Sequence, residues 1–117
     1  MAARSVVNLV AGQVHWARPD STVGREQSGR RPVIVVSGTG YHDAITALAL
    51  VVPVTSVERG WDNHVQVSGP SGLPRASFAM TEQVRVVSRD RLDGLLGAVD
   101  DHTLDQIRGW IRDYLTD

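Results

Sequence analysis

The residues of this sequence best suited to chemistry lie in one stretch, 24–37, which reads GREQSGRRPVIVVS. Its first half is polar, with two glycines and three arginines, so it must stay in contact with water. Pro32 restricts the preceding residue to extended backbone, which holds Arg31 at the start of an apolar strand. An arginine fixed beside a glycine-rich loop suits a phosphate site. A solvated hairpin loop with surface arginines explains the same stretch equally well.

A second pair of candidate groups follows the next apolar run, where Thr55 and Ser56 stand at the point at which a buried strand emerges. A Thr hydroxyl fixed at a strand end can hydrogen-bond a phosphate oxygen. Taken alone, Thr55 is better explained as an ordinary β-branched strand residue. The two hydroxyls therefore matter for chemistry only if the fold brings them close to Arg31.

Other side chains could hold or read a nucleic acid. The chain has no lysine, so every phosphate contact would be made by the planar fork of an arginine. The arginines that could follow a phosphodiester backbone are Arg18, Arg25, Arg30, Arg75 and Arg85. The aromatic residues that could stack on bases are Trp16, Trp61 and Phe78. Glu26 could pair with Arg31 and orient it, or accept a hydrogen bond from the donor edge of a base.

No single residue stands out as a general acid or base for a reaction at this site. Histidine is the natural acid or base near neutral pH, and the chain has His15, His42, His64 and His102. His102 lies at a predicted helix start and is expected to be solvated. Arginine cannot readily serve as a base, so the residues alone select no general acid or base.

Composition limits the classes of function. The 117 residues, 42% of them hydrophobic, suit one domain, 1–117, in which 1–11 is a loose lead-in. The chain has no cysteine and no cluster of His and carboxylates with ligand spacing, so we expect no metal and no cofactor. Ten arginines face seven acids over 1–92, a net of +3, whereas 93–117 has a net of −4. The apolar patch 6–10 is too short for a signal peptide or a membrane span, which favours the cytoplasm.

Short strands and one helix must position these groups. Alternation and unbroken apolar runs predict strands at 12–18, 31–37, 47–54, 64–67, 76–80 and 83–87. Pro53 suits a strand end or a bulge. The pattern also predicts a turn at 41–45, a helical turn at 89–96, and a last helix that begins at Asp100 or Asp101 and buries Leu104, Ile107, Ile111 and Tyr114. We therefore expect a mainly β fold with a C-terminal α-helix, arranged as a small half-open β-barrel.

Four motifs occur in an order that resembles the MazF/PemK family of toxin–antitoxin ribonucleases. They are Gly12-x-Val14, Gly24-x-Glu26-Gln27-x-Gly29-x-Arg31-Pro32, Pro53-Val54-Thr55-Ser56 and Glu82-Gln83-Val84-Arg85. With the last helix, the resemblance covers about residues 12–115. It implies an SH3-like barrel, a homodimer, and metal-independent, sequence-specific cleavage of single-stranded RNA, the activity of an mRNA interferase. It also implies a cognate MazE-like antitoxin whose C-terminal segment covers the RNA groove.

The resemblance also implies roles for individual residues. The family's catalytic arginine falls on Arg31 and its catalytic threonine on Thr55. The residues expected to contact substrate are Arg25, Glu26, Gln27, Arg30, Ser56, Gln83 and Arg85. The chain departs from the family pattern at Gln13, where an acid is common, and at His15, where an aromatic residue is usual and base stacking is as plausible as catalysis. It also lacks the Asp-x-x-Pro run that often follows the first strand, so these departures concern the loop and the RNA sequence recognised.

Two other functions fit the same fold class. A CcdB-like gyrase poison uses this barrel to bind a protein, but it depends on a Trp-Gly-Ile end, and here Gly109-Trp110-Ile111 lies inside the predicted helix. A non-catalytic SH3-like binding module would expose an aromatic groove. The chain has only six aromatic residues, and Trp110 and Tyr114 are predicted to lie in the core. Incubation with a long single-stranded RNA in EDTA would separate the three functions.

Overall fold

The computed structural model of the chain describes residues 8–19 and 29–117. Seven strands are described, and they are β1 Gln13–Ala17, β2 Arg31–Val35, β3 Leu48–Thr55, β4 His64–Gln66, β5 Phe78–Met80, β6 Arg85–Ser88 and β7 Leu92–Ala98. The α-helices are α1 Thr39–Ala44 and α2 Asp101–Tyr114. Two short 3-10 turns, Thr81–Gln83 and Arg89–Arg91, precede β6 and β7 respectively.

All strand pairs described are antiparallel. The strands lie in the order β4-β5-β3-β2-β1-β7, and β6 pairs with the first half of β3. In the described part of the chain, β4 and β7 do not pair with each other, so the barrel stays half open. The predicted mainly β fold with a C-terminal helix, of the small SH3-like barrel type, is confirmed.

The strand β2 lies at the centre of the sheet and is buried on both faces. Ile34 and Val36 pack in a core cluster with Ile107 of α2, whereas Val33 and Val35 pack in a second cluster on the opposite face. An unbroken β-branched run is typical of a strand that has no solvent face. The prediction made from this run is confirmed, and the rigid strand supports the residue at its start.

Pro53 lies inside β3, directly opposite Val33 of β2. On the other side of β3, pairing with β6 ends at Val51 and pairing with β5 begins at Val54. The carbonyl of Leu50 accepts from β2, so alternation turns the main chain of Pro53 toward the side where the partner strand changes. The missing N–H of Pro53 therefore falls at a break in the ladder, which explains a proline within a long strand.

The helix α2 begins at the predicted cap. The side chain of Asp100 accepts a hydrogen bond from the N–H of Thr103 at 2.9 Å, which satisfies one of the free N–H groups of the first turn. Ile107 is fully buried, as the apolar stripe predicted. Tyr114 was expected in the core but is 43% exposed, because its ring lies at the helix end and only its hydroxyl turns inward, to Thr81. The described residues contain no helix long and apolar enough to cross a membrane.

Three local predictions were wrong. The segment 92–96 is not helical but part of the strand β7, and only Arg89–Arg91 forms a 3-10 turn. The turn expected at 41–45 is the helix α1. The end of the lead-in is anchored, because Leu9 is buried and its carbonyl accepts from Nδ1 of His42. Residues 1–7 of that lead-in lie outside the described residues.

Candidate active site

The start of β2 and the end of β3 set the geometry of the site. The β1–β2 register places Ala17 opposite Arg31. The strands β2 and β3 are antiparallel and pair Val33 with Pro53, so Arg31 at the start of β2 and Thr55 at the end of β3 lie at the same end of the two strands. The fold therefore brings together the two residues predicted to be catalytic.

Arg31 and Thr55 line one groove of about 410 Å³, which we call the Thr55 groove. Its other polar lining residues are Arg30, Ser56, Arg75 and Ser77, and its apolar lining is Trp16, Pro32, Val54, Val57, Leu73 and Pro74. Arg30 and Ser56, both predicted to contact substrate, are thus in the same groove as the predicted catalytic pair. Arg75 joins them from the loop that follows β4.

The hydroxyl of Thr55 is held by its own turn. Its Oγ1 accepts a hydrogen bond from the N–H of Val57 at 3.1 Å. This contact uses a lone pair of the oxygen and leaves the hydroxyl proton free to be donated. Thr55 can therefore donate to an anion in the groove without giving up the bond that orients it.

The Thr55 groove is positively charged, and one of its arginines is held in place by neighbouring side chains. The guanidinium of Arg30 lies over the ring of Trp16, 5.0 Å from its centroid, and its Nη1 is 3.6 Å from Oδ1 of Asp93. Within residues 8–19 and 29–117, no carboxylate lies within salt-bridge distance of Arg31 or Arg75. Arg30 is thus positioned by a stack and an ion pair, whereas Arg31 meets no acid in the described part of the chain.

A second groove of about 620 Å³, which we call the Arg85 groove, lies on the other face of the sheet. Its wall contains Ala17, Val33 and Val87, which belong to or pack on the core cluster of that face. Its charged lining residues are Arg18, Arg31, Arg85 and Arg91, and the remaining ones are Pro19, Val86 and Ser88. Among the residues that line the two grooves, Arg31 is common to both.

The remaining predicted substrate contacts are distributed differently. Arg85 lines the Arg85 groove and not the Thr55 groove. Gln83 lies in a 3-10 turn, where its Nε2 is 3.4 Å from Oε2 of Glu82, and it lines neither groove of this chain. The other predicted substrate contacts, Arg25, Glu26 and Gln27, lie outside the described residues.

The predicted base-stacking residues divide in the same way. Trp16, one of the three residues predicted to stack on bases, lines the Thr55 groove. Phe78 is buried and cannot stack on a base from solvent. Trp61 is 49% exposed but lines neither groove, and its ring packs on that of His64 with 4.7 Å between centroids. Of the three, only Trp16 lies beside the predicted catalytic pair.

No histidine lines either groove in the part of the chain that the structure describes. His15 is buried, which rules out the base stacking considered for it, and burial lowers its pKa. His42 is buried between Oγ of Ser37 at 2.7 Å and the carbonyl of Leu9 at 3.1 Å. Burial and the charge of Arg89 lower the pKa of His42. Both side chains belong to the packed interior and are poor candidates for proton transfer at the site.

His64 belongs to a separate polar cluster. Its Nε2 is 3.0 and 3.1 Å from the two carboxylate oxygens of Glu82, which also accepts from Nδ2 of Asn63 at 2.9 Å. Burial alone would raise the pKa of Glu82, but the hydrogen bond and charge of His64, with bonds from its own backbone and from Gln83, lower it. Among the described residues, no group of three or more His, Cys, Asp or Glu could hold a metal ion.

Asp93 is the site residue that sequence reasoning missed. It pairs with Arg30 and, through Oδ2 at 3.9 Å, with Nε of Arg18. Asp93 lies on β7, which pairs with β1 so that Trp16 faces Gly94. Because the segment 89–96 was interpreted as a helical turn, nothing placed Asp93 near Arg30. The glycines within β7 removed the strand signal that would have located it.

Comparison with known proteins gives consistent matches. Residues 11–115 match the family model described as the PemK-like, MazF-like toxin of type II toxin–antitoxin systems. The chain is 33% identical over 88 residues to the endoribonuclease toxin MazF of Escherichia coli K12, covering 75% of this chain and 74% of that protein. It is 29% identical over 98 residues to endoribonuclease EndoA of Bacillus subtilis, covering 82% and 84% respectively.

Solved structures agree with these relatives. The structure of MazE–MazF (Form-II) from Deinococcus radiodurans aligns with a TM-score of 0.74 and 29% identity, covering 92% of this chain and 95% of that one. MazF (Form-I) from the same organism aligns with a TM-score of 0.69 and 28% identity, covering 92% and 96%. The half-open barrel and its C-terminal helix are therefore shared with these proteins over nearly their whole length.

Proposed function

The chain belongs to the family of PemK-like, MazF-like toxins of type II toxin–antitoxin systems, and from that premise we propose that it is an endoribonuclease that cleaves single-stranded RNA. The observation that carries the proposal is the convergence of Arg31 and Thr55 at the ends of β2 and β3, in one groove with Arg30 and Arg75. The named activity of the relatives, endoribonuclease, supports it. In the cell, such an activity would act in the cytoplasm, where cleavage of RNA stops translation and growth.

The proposed reaction is an internal attack within the RNA. The 2′-oxygen loses its proton and forms a bond to the adjacent phosphorus, while the bond from phosphorus to the 5′-oxygen breaks. The 5′-oxygen takes up a proton, so the products carry a 2′,3′-cyclic phosphate and a 5′-hydroxyl. The reaction needs charge stabilisation and two proton transfers, and the proposed mechanism includes no metal and no cofactor.

Arg31 and Thr55 are suited to stabilising the charge that develops on the phosphate. Donors that are already in position stabilise charge that develops in a transition state, because no reorganisation is needed at that moment. Arg31 is held by the start of a buried strand, and the hydroxyl of Thr55, at the end of the neighbouring strand, keeps its proton free for donation. We assign both to the non-bridging oxygens of the scissile phosphate. The proton donor and acceptor are not assigned, since no histidine reaches the groove in the described chain.

Neighbouring residues would bind the rest of the substrate. Arg75 and Ser56 offer donors to adjacent phosphates or sugars. Trp16 offers a base platform on which Arg30 covers part of the ring, a stack that a base could extend or displace. The groove therefore combines a charged wall and one aromatic residue, as expected for single-stranded RNA.

The proposal is tested by incubating the protein with a long single-stranded RNA in excess EDTA. Wild-type protein is expected to cleave fully and to leave 2′,3′-cyclic phosphate ends, whereas Arg31→Ala and Thr55→Ala should each lose about 10²- to 10³-fold in rate. Arg112→Ala, which removes an exposed arginine at the end of α2, is the matched control and should cleave normally.

Two results would contradict this assignment. One is near-normal cleavage by Arg31→Ala protein whose circular dichroism shows an intact fold. The other is normal cleavage of an RNA that has 2′-deoxyribose at the cut site, since that substrate has no internal nucleophile. Sequencing of the new 5′ ends would at the same time give the RNA sequence recognised.

The two rival functions gain no support from the structure. Trp110 of the Gly109-Trp110-Ile111 run is half-buried within α2 and packs on the core, so it cannot form a free end of the CcdB type. The Thr55 groove contains one aromatic residue and three arginines, whereas an SH3-like peptide-binding module has a groove lined by several aromatic residues. Endoribonuclease activity remains the function that the site supports best.

We further propose a cognate antitoxin and a homodimer as part of this function. The solved structures of MazE–MazF from Deinococcus radiodurans, to which this chain is similar, support the antitoxin. A segment rich in carboxylates could occupy the Thr55 groove, its acidic side chains taking the place of RNA phosphates on Arg30 and Arg31. Occupation of the groove would block RNA, and the attraction would weaken as salt is added.

A further inference from the structure

The two grooves lie on opposite faces of one sheet and meet at one residue. Trp16, Pro32 and Val54 alternate onto the face of the Thr55 groove, whereas Ala17, Val33 and Val87 lie on the face of the Arg85 groove. Arg31 is the first residue of β2, where the sheet ends and the two faces adjoin. A chain lying along both grooves would have to pass over this strand end, directly across Arg31.

The chemistry of the Arg85 groove suits a phosphodiester backbone. It has four arginines, and no carboxylate among the described residues lines it. Its walls are otherwise small or apolar, at Ala17, Val86 and Val87, with a single hydroxyl at Ser88. Arginines recognise phosphate through planar forks, and these walls offer little for the edges of bases. The ligand class that fits is a nucleic-acid strand held by its backbone.

The two sides of the Arg85 groove differ in how firmly they are held. The Arg18 guanidinium donates to the carbonyl of Asp90 and lies 3.9 Å from Asp93, and Arg91 donates to the carbonyl of Arg18. These contacts fix one wall. Across the groove, Arg85 is exposed at the start of β6 and meets no described carboxylate within salt-bridge distance. Arg85 can therefore close on a phosphate that the opposite wall has positioned.

We propose that the RNA strand continues from the Thr55 groove over the end of β2 into the Arg85 groove, so that it bends at Arg31. This inference rests on the proposed endoribonuclease function and adds the course of the substrate to it. The scissile phosphate lies at the bend, and the phosphates beyond it lie between Arg85 and the wall of Arg18 and Arg91. The bases of this outer segment face away from the sheet and are not read.

A bend at this point also explains how the reaction geometry is reached. Internal attack requires the 2′-oxygen, the phosphorus and the 5′-oxygen to lie nearly in line, and a regularly stacked strand keeps them out of line. A strand forced over a sheet end unstacks at the bend and can approach the in-line arrangement. Holding reactants near the attack geometry is a large source of rate enhancement. The Arg85 groove would thus contribute to cleavage by anchoring the far side of the bend.

The test compares two lengths of RNA, both with 2′-deoxyribose at the mapped cut site so that neither is cleaved. One ends a single nucleotide beyond the cut on each side, and the other extends about six nucleotides further on each side. Arg85→Ala is expected to weaken binding of the long RNA by roughly 3- to 10-fold more than binding of the short RNA. The salt dependence of long-RNA binding should fall by about 0.7 in log–log slope. Arg112→Ala is the charge-matched control and should change neither quantity.

A second readout reports on the bend itself. With 2-aminopurine beside the cut site of the long RNA, binding to wild-type protein should raise its fluorescence, because the base unstacks. Arg85→Ala should reduce that rise, measured at a protein concentration that saturates both proteins. No rise with wild-type protein would overturn the bend.

Four outcomes would overturn the outer site. Arg85→Ala and Arg112→Ala could prove equal on both lengths, or Arg85→Ala could weaken both lengths equally. Light scattering could instead show that Arg85→Ala alters the molecular mass, which would make the groove a subunit interface. Weakened binding of an acidic antitoxin peptide with unchanged RNA binding would assign the groove to a protein. Because these RNAs are not cleaved, the binding measurements test the outer site independently of whether the protein cleaves RNA.

Discussion

At the scale of the residue, the position of Arg31 depends on a small neighbour and a rigid backbone. Ala17 lies opposite it and Pro32 follows it, so the guanidinium has space on one side and a fixed origin on the other. The sequence predicted Arg31, Thr55, Arg30 and Ser56 as site residues, and the structure brings all four into one groove. The family resemblance gave these residues their roles, and the strong strand signal of the adjoining apolar runs gave their positions at strand ends.

Residues whose role depends on distant partners could not be predicted. Asp93 contacts Arg30 and Arg18 across a pairing of β1 with β7 that no local pattern indicated. The stack of Arg30 on Trp16 likewise depends on the meeting of two separate segments. Arg85 was predicted to contact substrate, but its place on the opposite face follows only from how β6 pairs with β3.

The buried His42 makes stability depend on pH. Its pKa is lowered in the folded protein, so on acidification the unfolded chain takes up the proton first, below the ordinary value of 6.5. Stability from this group is therefore complete above that pH and is lost as the pH falls, and His15 acts in the same direction. The melting temperature should fall between about pH 7.5 and about pH 5.5. The fall should be smaller in His42→Gln.

The control for this prediction is His102→Gln, because His102 is exposed on the first turn of α2. That variant should keep the pH dependence of the wild-type protein. Equal falls in melting temperature for wild type and His42→Gln would show that His42 does not carry the effect. The paired Glu82 acts in a lower range, since its pKa is lowered and its contribution is lost only as the pH falls below about 4.5.

At the scale of the element, prediction succeeded where one face or both faces of an element are buried. The β-branched run of β2 and the apolar stripe of α2 indicate, from the local sequence alone, which side chains are buried. The strand β7 was missed because its sequence LDGLLGA has two glycines and no β-branched residue. Its strand form comes from pairing with β1 and from the close approach of the loop at Pro70 to Gly97.

That close approach gives a test of β7. A Cβ on Gly97 would lie 2.3 Å from the carbonyl oxygen of Pro70, so Gly97→Ala must displace the loop or the strand. We expect the free energy of unfolding to fall by about 1–3 kcal/mol, measured by urea denaturation. Gly40→Ala is the control, because Gly40 lies in α1 with nothing within 4 Å of a Cβ. It should be neutral or stabilise by up to about 1 kcal/mol. Equal stability of the two variants would contradict the role given to Gly97.

At the scale of the whole molecule, we expect a two-fold homodimer. Exposed apolar side chains that line neither groove are scattered over the described surface, among them Ile45, Trp61 and Leu95. A two-fold interface presents the same patch on each subunit, so a modest patch suffices to bury twice its area. Light scattering should give twice the chain mass of 12.7 kDa at micromolar concentration. A monomer under those conditions would exclude a dimer as the active form.

The break in the β3 ladder at Pro53 has a consequence for motion. One half of β3 is closed by β6 and the other by β5, and the main chain on that side is not bridged between them. The hairpin of β4 and β5 can therefore open as a unit while the half of β3 that pairs with β6 stays closed. We expect amide hydrogen exchange to be faster in the β4–β5 hairpin than in that half of β3. Thr55 lies on the opening side, directly opposite Phe78, whereas Arg31 begins β2, a strand paired on both sides by β1 and β3. Under the proposed function, opening of the β4–β5 hairpin would move Thr55 relative to Arg31, so we expect product release to be linked to this local opening.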